Sequence, residues 1–259
     1  ELTALAEREP RNWGVQFALG TTYRFLDRPE DSIHAHEREV EFSGGRPKAI
    51  ADLLNVLVRR SRFAEAEAIL GPAVARQPTG RLLTFDLLLK VRWRGDLPGA
   101  RAALETWPGW LLQEDRGAFY AWQTWYFSGQ PEKALSLAQR LPRDYLRDHI
   151  FSGPRAVLTA RAHELARNAE AAQAEWRIVV QHADRELVAN PDDAGALYWK
   201  AWALARLGDP EGARNTSTLL QQRRTSQGSF FGATSMAPLW VTVGRADLAL
   251  AELKDKAAK

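Results

Sequence analysis

Four segments of the chain share one pattern: DRPEDS at 27–32, SRFAEA at 61–66, GDLPGA at 95–100 and GQPEKA at 129–134. Their last residues are small and recur at a spacing of 34, at positions 32, 66, 100 and 134. An initial Gly, Asp or Ser favours a turn, and a following Pro or acidic residue favours the first turn of a helix. Each segment is therefore predicted to join the end of one helix to the start of another.

Three later segments continue the pattern, and they read RNAEAA at 167–172, GDPEGA at 208–213 and GRADLA at 244–249. The first of them requires a slip of one residue. Apolar residues at helical spacing precede and follow the turns, as Leu53 and Leu57 do before the second turn. Strand-like alternation is almost absent. The sequence therefore predicts an all-α fold built from a repeated pair of amphipathic helices.

The repeat resembles the tetratricopeptide repeat (TPR), a family of 34-residue helix pairs. The residues that carry the resemblance are Leu19, Gly20 and Tyr23 at slots 7, 8 and 11 of the first complete repeat, and Ala66, Leu70, Ala73 and Pro78 at slots 20, 24, 27 and 32 of the second. His36 and Glu39 depart from it, since a bulky residue and Ala are usual there. The resemblance implies a right-handed superhelical solenoid of antiparallel helix pairs.

We expect a single TPR-like solenoid over residues 1–259. It would contain the tail of a truncated repeat at 1–12 and repeats at about 13–46, 47–80, 81–114, 115–150, 152–192, 194–227 and 230–259. Leu2 and Leu5 of the first helix lack a partner helix in this scheme. This indicates the helical-repeat region of a longer, bacterial protein, and it predicts self-association through the first helix.

Two stretches are predicted to interrupt the array. The first runs over 141–155, and an unusually long second helix at 169 to about 189 follows it. The second runs over 221–237 and is expected to form a longer loop near 225–228.

Packing predictions follow from the repeat register. Small residues at slot 20 let two helices approach closely, and the predicted contact points are Ala66, Ala100, Ala134 and Ala213. The tryptophans on packing slots, which are expected in the core, are Trp107, Trp122, Trp125, Trp176 and Trp240. Those off the packing slots are Trp13, Trp93, Trp110, Trp199 and Trp202.

Composition excludes several classes of protein. The chain has 45% hydrophobic and 26% charged residues, which is typical of a folded protein rather than a disordered one. It has no cysteine, so disulfides, cysteine nucleophiles and cysteine-ligated zinc are excluded. A net charge of +3 without a basic stripe argues against nucleic acid as a partner. No membrane span or signal peptide is visible, so the compartment is unassigned, with the cytoplasm favoured.

No motif indicates catalysis. The phosphate-binding, dinucleotide-binding and nucleophile-elbow motifs are absent from the sequence. His34 and His36 are two residues apart on a predicted helix, so their rings point to different sides and are expected to be solvated rather than to share a metal ion. His163 and Glu164 begin a zinc-protease motif, but Arg167 stands at the place of its second histidine. We therefore predict no catalytic residues, no metal and no cofactor.

The TPR resemblance implies a concave groove lined by slots 2, 5, 9 and 12 of the first helices. The residues predicted to contact a protein or peptide there are Asn55, Phe85, Arg92, Arg116, Phe119, Gln123, Tyr126, Tyr198 and Trp202. The clamp that some TPR proteins use for chaperone C-terminal carboxylates needs Lys and Asn at slots 5 and 9. Phe17 and Thr21 hold those slots in the first repeat, so the clamp is absent, although Asn55 matches.

Three functions remain open at this stage. The leading one is a non-catalytic scaffold that holds a peptide or partner domain in its concave groove. The alternative is a ligand-sensing module of a regulator, which binds a small molecule through groove aromatics. The third is an α/α-fold enzyme. A pocket with Glu or Asp opposite an aromatic wall favours the enzyme, one with aromatics but no acid pair favours the sensor, and an open groove favours the scaffold.

Overall fold

The computed structural model of the chain describes residues 2–148, 151–227 and 237–257. The chain comprises two compact units, Glu1–Leu111 and Leu112–Lys259. The described part is predominantly helical, and its only sheet is a pair of three-residue strands. Within it, no helix combines the length and the apolar character that crossing a membrane requires. The all-α prediction is confirmed.

The first unit consists of consecutive helices joined by short connections. They are α1 (Leu2–Arg8), α2 (Trp13–Phe25), α3 (Pro29–Phe42), α4 (Pro47–Arg59), α5 (Phe63–Arg76), α6 (Gly80–Leu88) and α7 (Leu97–Glu105). A π-helical segment, Leu89–Arg94, continues α6, and a short 3-10 helix, Leu111–Gln113, follows α7.

The second unit repeats this arrangement and adds a small hairpin. Its helices are α8 (Asp115–Phe127), α9 (Pro131–Gln139), α10 (Arg155–Leu165), α11 (Ala169–Ala189), α12 (Ala194–Arg206), α13 (Pro210–Gln227), α14 (Ala237–Thr242) and α15 (Ala246–Ala257). Its strands are β1 (Tyr145–Arg147) and β2 (Ser152–Pro154), which lie between α9 and α10. The long helix predicted at 169 to about 189 is α11.

In the described residues, seven turns of one kind connect α2 to α3 and the two helices of each later pair. Each turn begins with a residue in the left-handed region, with φ between 53° and 82°, and these residues are Asp27, Ser61, Gly95, Gly129, Arg167, Gly208 and Gly244. The next helix always starts two residues later. Asp96, Asn168 and Asp209 cap three of these helices. Each side chain accepts a hydrogen bond from the backbone N–H of the residue three positions later in the chain. The seven segments therefore form helix–turn–helix junctions, as predicted.

The last residue of each turn segment is buried between helices. These residues are Ser32, Ala66, Ala100, Ala134, Ala172, Ala213 and Ala249. Ser32 also donates a hydrogen bond from Oγ to the carbonyl oxygen of Gly20, at 2.7 Å. Small side chains at these places allow the helices of a pair to approach closely. The four alanines predicted as contact points are all fully buried.

His36 and Glu39 form a buried pair within α3. The distance from His36 Nδ1 to Glu39 Oε2 is 2.7 Å, and the two side chains are 2% and 1% exposed. The imidazole ring packs on Gly20 of α2, where an added Cβ would lie 2.7 Å from Nε2. The expectation of a solvated histidine holds for His34, which is 72% exposed, and is wrong for His36. Its ring fills the space beside Gly20, and the carboxyl group supplies its polar partner.

The first predicted interruption contains the hairpin. β1 pairs with β2 in antiparallel register, with Leu146 opposite Gly153. Trp199 of α12 donates a hydrogen bond from Nε1 to the carbonyl oxygen of Ser152 at 2.7 Å, which attaches the hairpin to that helix. The sequence predicted a break in the helical pattern here but not the two strands.

The second predicted interruption, at 221–237, is described only in part. Its residues 221–227 belong to α13, so the loop expected near 225–228 is wrong as far as Gln227. Residues 228–236 lie outside the described residues.

The tryptophan predictions are correct in part. Trp107, Trp122, Trp176 and Trp240 are buried, as expected, whereas Trp125 is half-buried. Trp199 and Trp202, which the register places off the packing slots, are also buried, because they pack in one core cluster with α10, α11 and α14. Of the remaining three, Trp13 and Trp110 are exposed and Trp93 is half-buried.

The first helix is partly covered. Leu2 of α1 packs against the core formed by Val15 and Leu19, whereas Leu5 is exposed. The expectation that both leucines lack a partner is therefore wrong for Leu2. It is covered by α2, the next helix along the chain.

Candidate functional site

Three of the nine predicted contact residues lie in the first unit. Asn55 on α4 is half-buried, and its Oδ1 accepts a hydrogen bond from Arg59 Nε at 3.4 Å. Phe85 on α6 is half-buried, and Arg92 on the π-helical segment is exposed. The other six lie in the second unit, on α8 and α12.

Aromatic rings form two stacks in the second unit. On α8, the ring centroids of Phe119 and Trp122 are 6.3 Å apart and those of Trp122 and Tyr126 are 4.9 Å apart. On α12, the ring centroids of Tyr198 and Trp202 are 6.1 Å apart. Offset and tilted ring pairs at such distances stabilise a rigid arrangement.

Phe151 joins the two stacks. Its ring centroid lies 4.7 Å from that of Phe119 and 5.5 Å from that of Trp199, which is itself in contact with Tyr198. Tyr120 and Phe127 contact the edges of this network, at 6.1 Å from Phe119 and 5.7 Å from Tyr126. We call the other seven connected residues the aromatic cluster: Phe119, Trp122, Tyr126, Phe151, Tyr198, Trp199 and Trp202.

Arg161 of α10 bridges the other ends of the stacks. Its guanidinium carbon lies 5.6 Å from the centroid of the Tyr126 ring and 5.9 Å from that of the Trp202 ring. Arg206 lies 5.8 Å from the same Trp202 ring. These distances are within the range of cation–π attraction. The contacts thus form a closed circuit through α8, α10 and α12.

The members of this circuit differ in accessibility. Phe119, Tyr198 and Trp202 are each less than a tenth exposed, and burial raises the pKa of Tyr198 to about 12. Tyr126 and Arg161 are half-buried, as is the neighbouring predicted residue Gln123. The buried rings therefore form a floor, and the half-buried side chains are those that a partner can reach.

Arg116 at the start of α8 is held by an acidic residue. Its Nη2 and Nε lie 3.1 and 3.2 Å from Asp148 Oδ2, and both side chains are largely buried. This pair joins α8 to the end of the hairpin strand β1. The structure thus gives Arg116 a structural partner that the sequence did not indicate.

A small pocket lies between the hairpin, α11 and α12. Its lining residues are Tyr145, Arg147, Pro154, His182, Ala183, Glu186, Asp193, Ala196 and Trp199. The ring centroids of Tyr145 and His182 are 5.2 Å apart. Burial raises the pKa of Tyr145 and lowers that of His182. The pocket thus combines aromatic walls with two carboxylates.

One of the two pocket carboxylates has a structural role. Asp193 Oδ1 accepts the backbone N–H of Ala196 at 2.8 Å and so caps α12. Glu186 Oε1 lies 3.9 Å from His182 Nε2, and its side chain is 46% exposed. The pocket thus has the acidic and aromatic composition expected of an enzyme, and one of its two acids serves as a helix cap.

Two solved structures show which fold this is. One is a tetratricopeptide repeat protein from Parabacteroides merdae, which is 12% identical, with 93% of this chain and 87% of that one covered at a TM-score of 0.56. The other is the APC/C hetero-tetramer Cut9-Hcn1, which is 11% identical, with 96% of this chain covered at a TM-score of 0.59. The chain has a tetratricopeptide-repeat fold.

The likeness lies in the fold and not in the sequence. No protein-family model matches the sequence, and no curated protein matches it significantly. The chain spans 45% of the Cut9-Hcn1 chain that it matches. The TPR fold makes α8, α10 and α12 the first helices of three successive pairs. Six of the seven members of the aromatic cluster lie on α8 and α12, helices that the resemblance assigns to the groove, and Phe151 lies just before β2.

Sequence reasoning missed Arg161, although the TPR register contains it. Slot 9 lies eleven residues before the small residue at slot 20, as Gln123 does before Ala134 and Trp202 before Ala213. The one-residue slip places Ala172 at slot 20 of the fifth repeat, which makes Arg161 its slot-9 residue. The groove slots of that irregular repeat were not assigned, so the arginine went unnoticed.

No cluster of potential metal ligands occurs among the described residues. Among residues 2–148, 151–227 and 237–257, no group of three or more His, Asp or Glu side chains could hold an ion. His34 and His36, the one pair that the sequence drew attention to, differ in burial and do not face a common site.

Gly153 controls the fit of the hairpin on Trp199. An added Cβ would lie 2.6 Å from Trp199 Nε1 and Cε2, and the indole cannot retreat because Nε1 is bonded to the Ser152 carbonyl. We expect Gly153→Ala to lower the free energy of unfolding, measured by urea titration, by about 1–3 kcal/mol. Gly71→Ala is the control, because no atom lies within 4 Å of its added Cβ. Equal midpoints for both variants would contradict this account.

Proposed function

We propose that the protein is a non-catalytic interaction scaffold that binds a peptide or a partner domain on the surface of α8, α10 and α12. The observation that supports this is the arrangement of half-buried Gln123, Tyr126 and Arg161 above a floor of packed aromatic rings. Tyr and Arg are residues that often dominate binding energy. A rigid floor keeps them in place, so little conformational entropy is lost on binding.

Two further points favour a scaffold over an enzyme. One of the similar structures is itself a hetero-tetrameric assembly, Cut9-Hcn1. In the pocket beside the hairpin, which has an enzyme-like composition, Asp193 is engaged as a helix cap. A capping carboxylate is poorly placed to serve in a converging acid–base pair.

The test is affinity capture from a lysate of the source organism with quantitative mass spectrometry. We expect a Gln123→Ala/Tyr126→Ala variant to recover at least about tenfold less of the partner, because removing a Tyr hot spot costs about 2 kcal/mol or more. These two residues are chosen because truncating the buried Phe119 or Trp202 would also unfold part of the core.

Phe25→Ala is the control for this test. It removes an aromatic ring that is 79% exposed and lies on α2 of the first unit. We expect it to keep the partner at the wild-type level. If both variants keep the partner equally while remaining helical by circular dichroism, the binding surface is elsewhere and the assignment is wrong.

The pocket beside the hairpin supports a second candidate, a ligand-sensing module. Tyr145 and Trp199 provide aromatic walls, and Arg147 and His182 add groups that can form hydrogen bonds. A wild-type protein that captures no partner, but melts at a higher temperature with a small metabolite, would favour this function over the scaffold.

Self-association and partner class complete the proposal. Leu5 on α1 is exposed and remains the residue through which two copies would meet. We propose that the partners are proteins or peptides, without nucleic acid or membrane.

A further inference from the structure

We propose that Arg161 binds the side-chain carboxylate of an Asp or Glu within the partner peptide. This inference rests on the proposed function and names the chemistry of the partner. It starts from the position of Arg161, which is half-buried on α10 between the rings of Tyr126 and Trp202.

Arg161 has no acidic partner in the described part of the chain. It forms neither an ion pair nor a hydrogen bond there. Its guanidinium lies against the two rings, and its charge also acts on Tyr198. The arginines of the same unit that do form ion pairs are Arg116, Arg143, Arg155, Arg206, Arg223 and Arg245. The others whose side chains are described lack an ion pair but are exposed to solvent, namely Arg140, Arg147, Arg167, Arg177, Arg185 and Arg214.

The nearest acid on the same helix is already engaged. Glu164 of α10 accepts a hydrogen bond from Trp176 Nε1 at 2.8 Å, and it lies 3.8 Å from Arg206 Nη1. It therefore compensates Arg206 rather than Arg161. Glu252 of α15 acts on the same Tyr198 as Arg161 does, but no ion pair joins Glu252 to Arg161. A carboxylate in direct contact with Arg161 therefore has to come from outside the described residues.

The chemistry of the site favours a carboxylate. A half-buried guanidinium has lost part of its hydration, and ring faces attract its charge without satisfying its N–H donors. A carboxylate accepts two parallel hydrogen bonds from guanidinium, which are stronger than neutral ones. A nucleic-acid backbone would need several cations in a row, whereas Arg161 stands here with only the acid-paired Arg206 near it.

The surroundings also specify the neighbour of the acidic residue. The half-buried Tyr126 ring and the aromatic floor beside Arg161 are apolar surfaces. An apolar residue next to the Asp or Glu would cover them and shield the ion pair from water, which strengthens it. The expected ligand is therefore an extended peptide segment in which an acidic residue lies beside an apolar one.

The test begins with selection of random displayed peptides on the whole chain. Each peptide is fused to its carrier through its C-terminus, so that only side chains can offer a carboxylate. We expect the wild-type protein to enrich peptides with Asp or Glu beside an apolar residue. An Arg161→Met variant, which keeps much of the apolar stem without the charge, is expected to lose that enrichment.

The selected peptide then allows a double-mutant cycle. We expect its Glu→Gln or Asp→Asn version to bind the wild-type chain at least about tenfold more weakly, since a charged hydrogen bond contributes about 1.5–3 kcal/mol. Binding to Arg161→Met should be insensitive to that change in the peptide. Raising the salt concentration should weaken the binding of the acidic peptide to the wild-type chain and leave that of the amide version unchanged.

Lys133→Met is the matched control. The ammonium group of Lys133 lies 4.2 Å from the centroid of the Trp125 ring on α8, so the change also removes a cation from an aromatic face. We expect it to leave the peptide affinity unchanged. Melting temperatures of both variants show whether each remains folded.

Three results would overturn the inference in distinguishable ways. Peptides that require Tyr126 but show no acidic preference would refute the role of Arg161 and leave the scaffold intact. If Arg161→Met weakened the binding of the acidic peptide and of its amide version equally, Arg161 would contribute by packing and not by pairing with a carboxylate. Selection of no peptide at all would refute the peptide-binding scaffold together with this inference.

Discussion

Replacing Trp176 with alanine is expected to lower the free energy of unfolding by about 3–5 kcal/mol, as removal of a large buried aromatic side chain does. Trp176 is 1% exposed and lies on α11 in a core that includes Val157 and Leu197. Its Nε1 also donates a hydrogen bond to Glu164 Oε1 at 2.8 Å. The change therefore leaves a cavity and removes a partner of a carboxylate.

The measurement is urea unfolding followed by far-UV circular dichroism. Trp176→Phe keeps most of the ring volume and loses the hydrogen bond, so it should fall between wild type and Trp176→Ala. Val188→Ala is the control, because Val188 lies on the same helix and is 86% exposed. We expect it within about 0.5 kcal/mol of wild type. A Trp176→Ala variant as stable as the control would show that α11 does not pack as described.

Replacing Glu39 with alanine is expected to lower the free energy of unfolding by about 3 kcal/mol, because it leaves a buried polar group without its partner. Glu39 Oε2 lies 2.7 Å from His36 Nδ1, and both side chains are nearly inaccessible. His36 cannot turn toward water, since its ring packs on the Gly20 backbone. The cost therefore includes both the lost interaction and the cavity.

The same helix offers an unusually close control. His34 and Glu37 have the same residue types and the same spacing, with Nδ1 and Oε2 3.7 Å apart, but they are 72% and 55% exposed. We expect Glu37→Ala to change stability by less than about 1 kcal/mol, as exposed pairs do. Denaturant titration of the two variants isolates the effect of burial on stability, because the two His–Glu pairs have the same residue types and the same spacing. Similar losses would contradict the buried position of His36.

The junctions between helices could be predicted from the sequence because their signals are local. A residue suited to positive φ, such as Gly95, followed by a capping residue such as Asp96, marks the turn regardless of distant contacts. The 34-residue spacing then gives the register. The same signals predict even the irregular turn at Arg167.

The features that could not be predicted depend on contacts between distant segments. Trp199 is buried against a hairpin that lies far from it in sequence, and Ser152 of that hairpin, 47 residues earlier, accepts its hydrogen bond. His36 and Glu39 each looked like a departure from the repeat, and only their proximity shows that they compensate one another. Arg161 was missed because its repeat is out of register, and its contacts with Tyr126 and Trp202 join three helices.

The central claim is that a protein partner binds on the first helices of the second unit. Site-specific photo-crosslinking tests it most directly, with a benzophenone amino acid in place of either Gln123 on α8 or Lys133 on α9. Our account predicts that the probe at position 123 forms an adduct with a partner in lysate and that the probe at position 133 forms none. An adduct at position 133 alone would place the partner on the second helices and contradict the account.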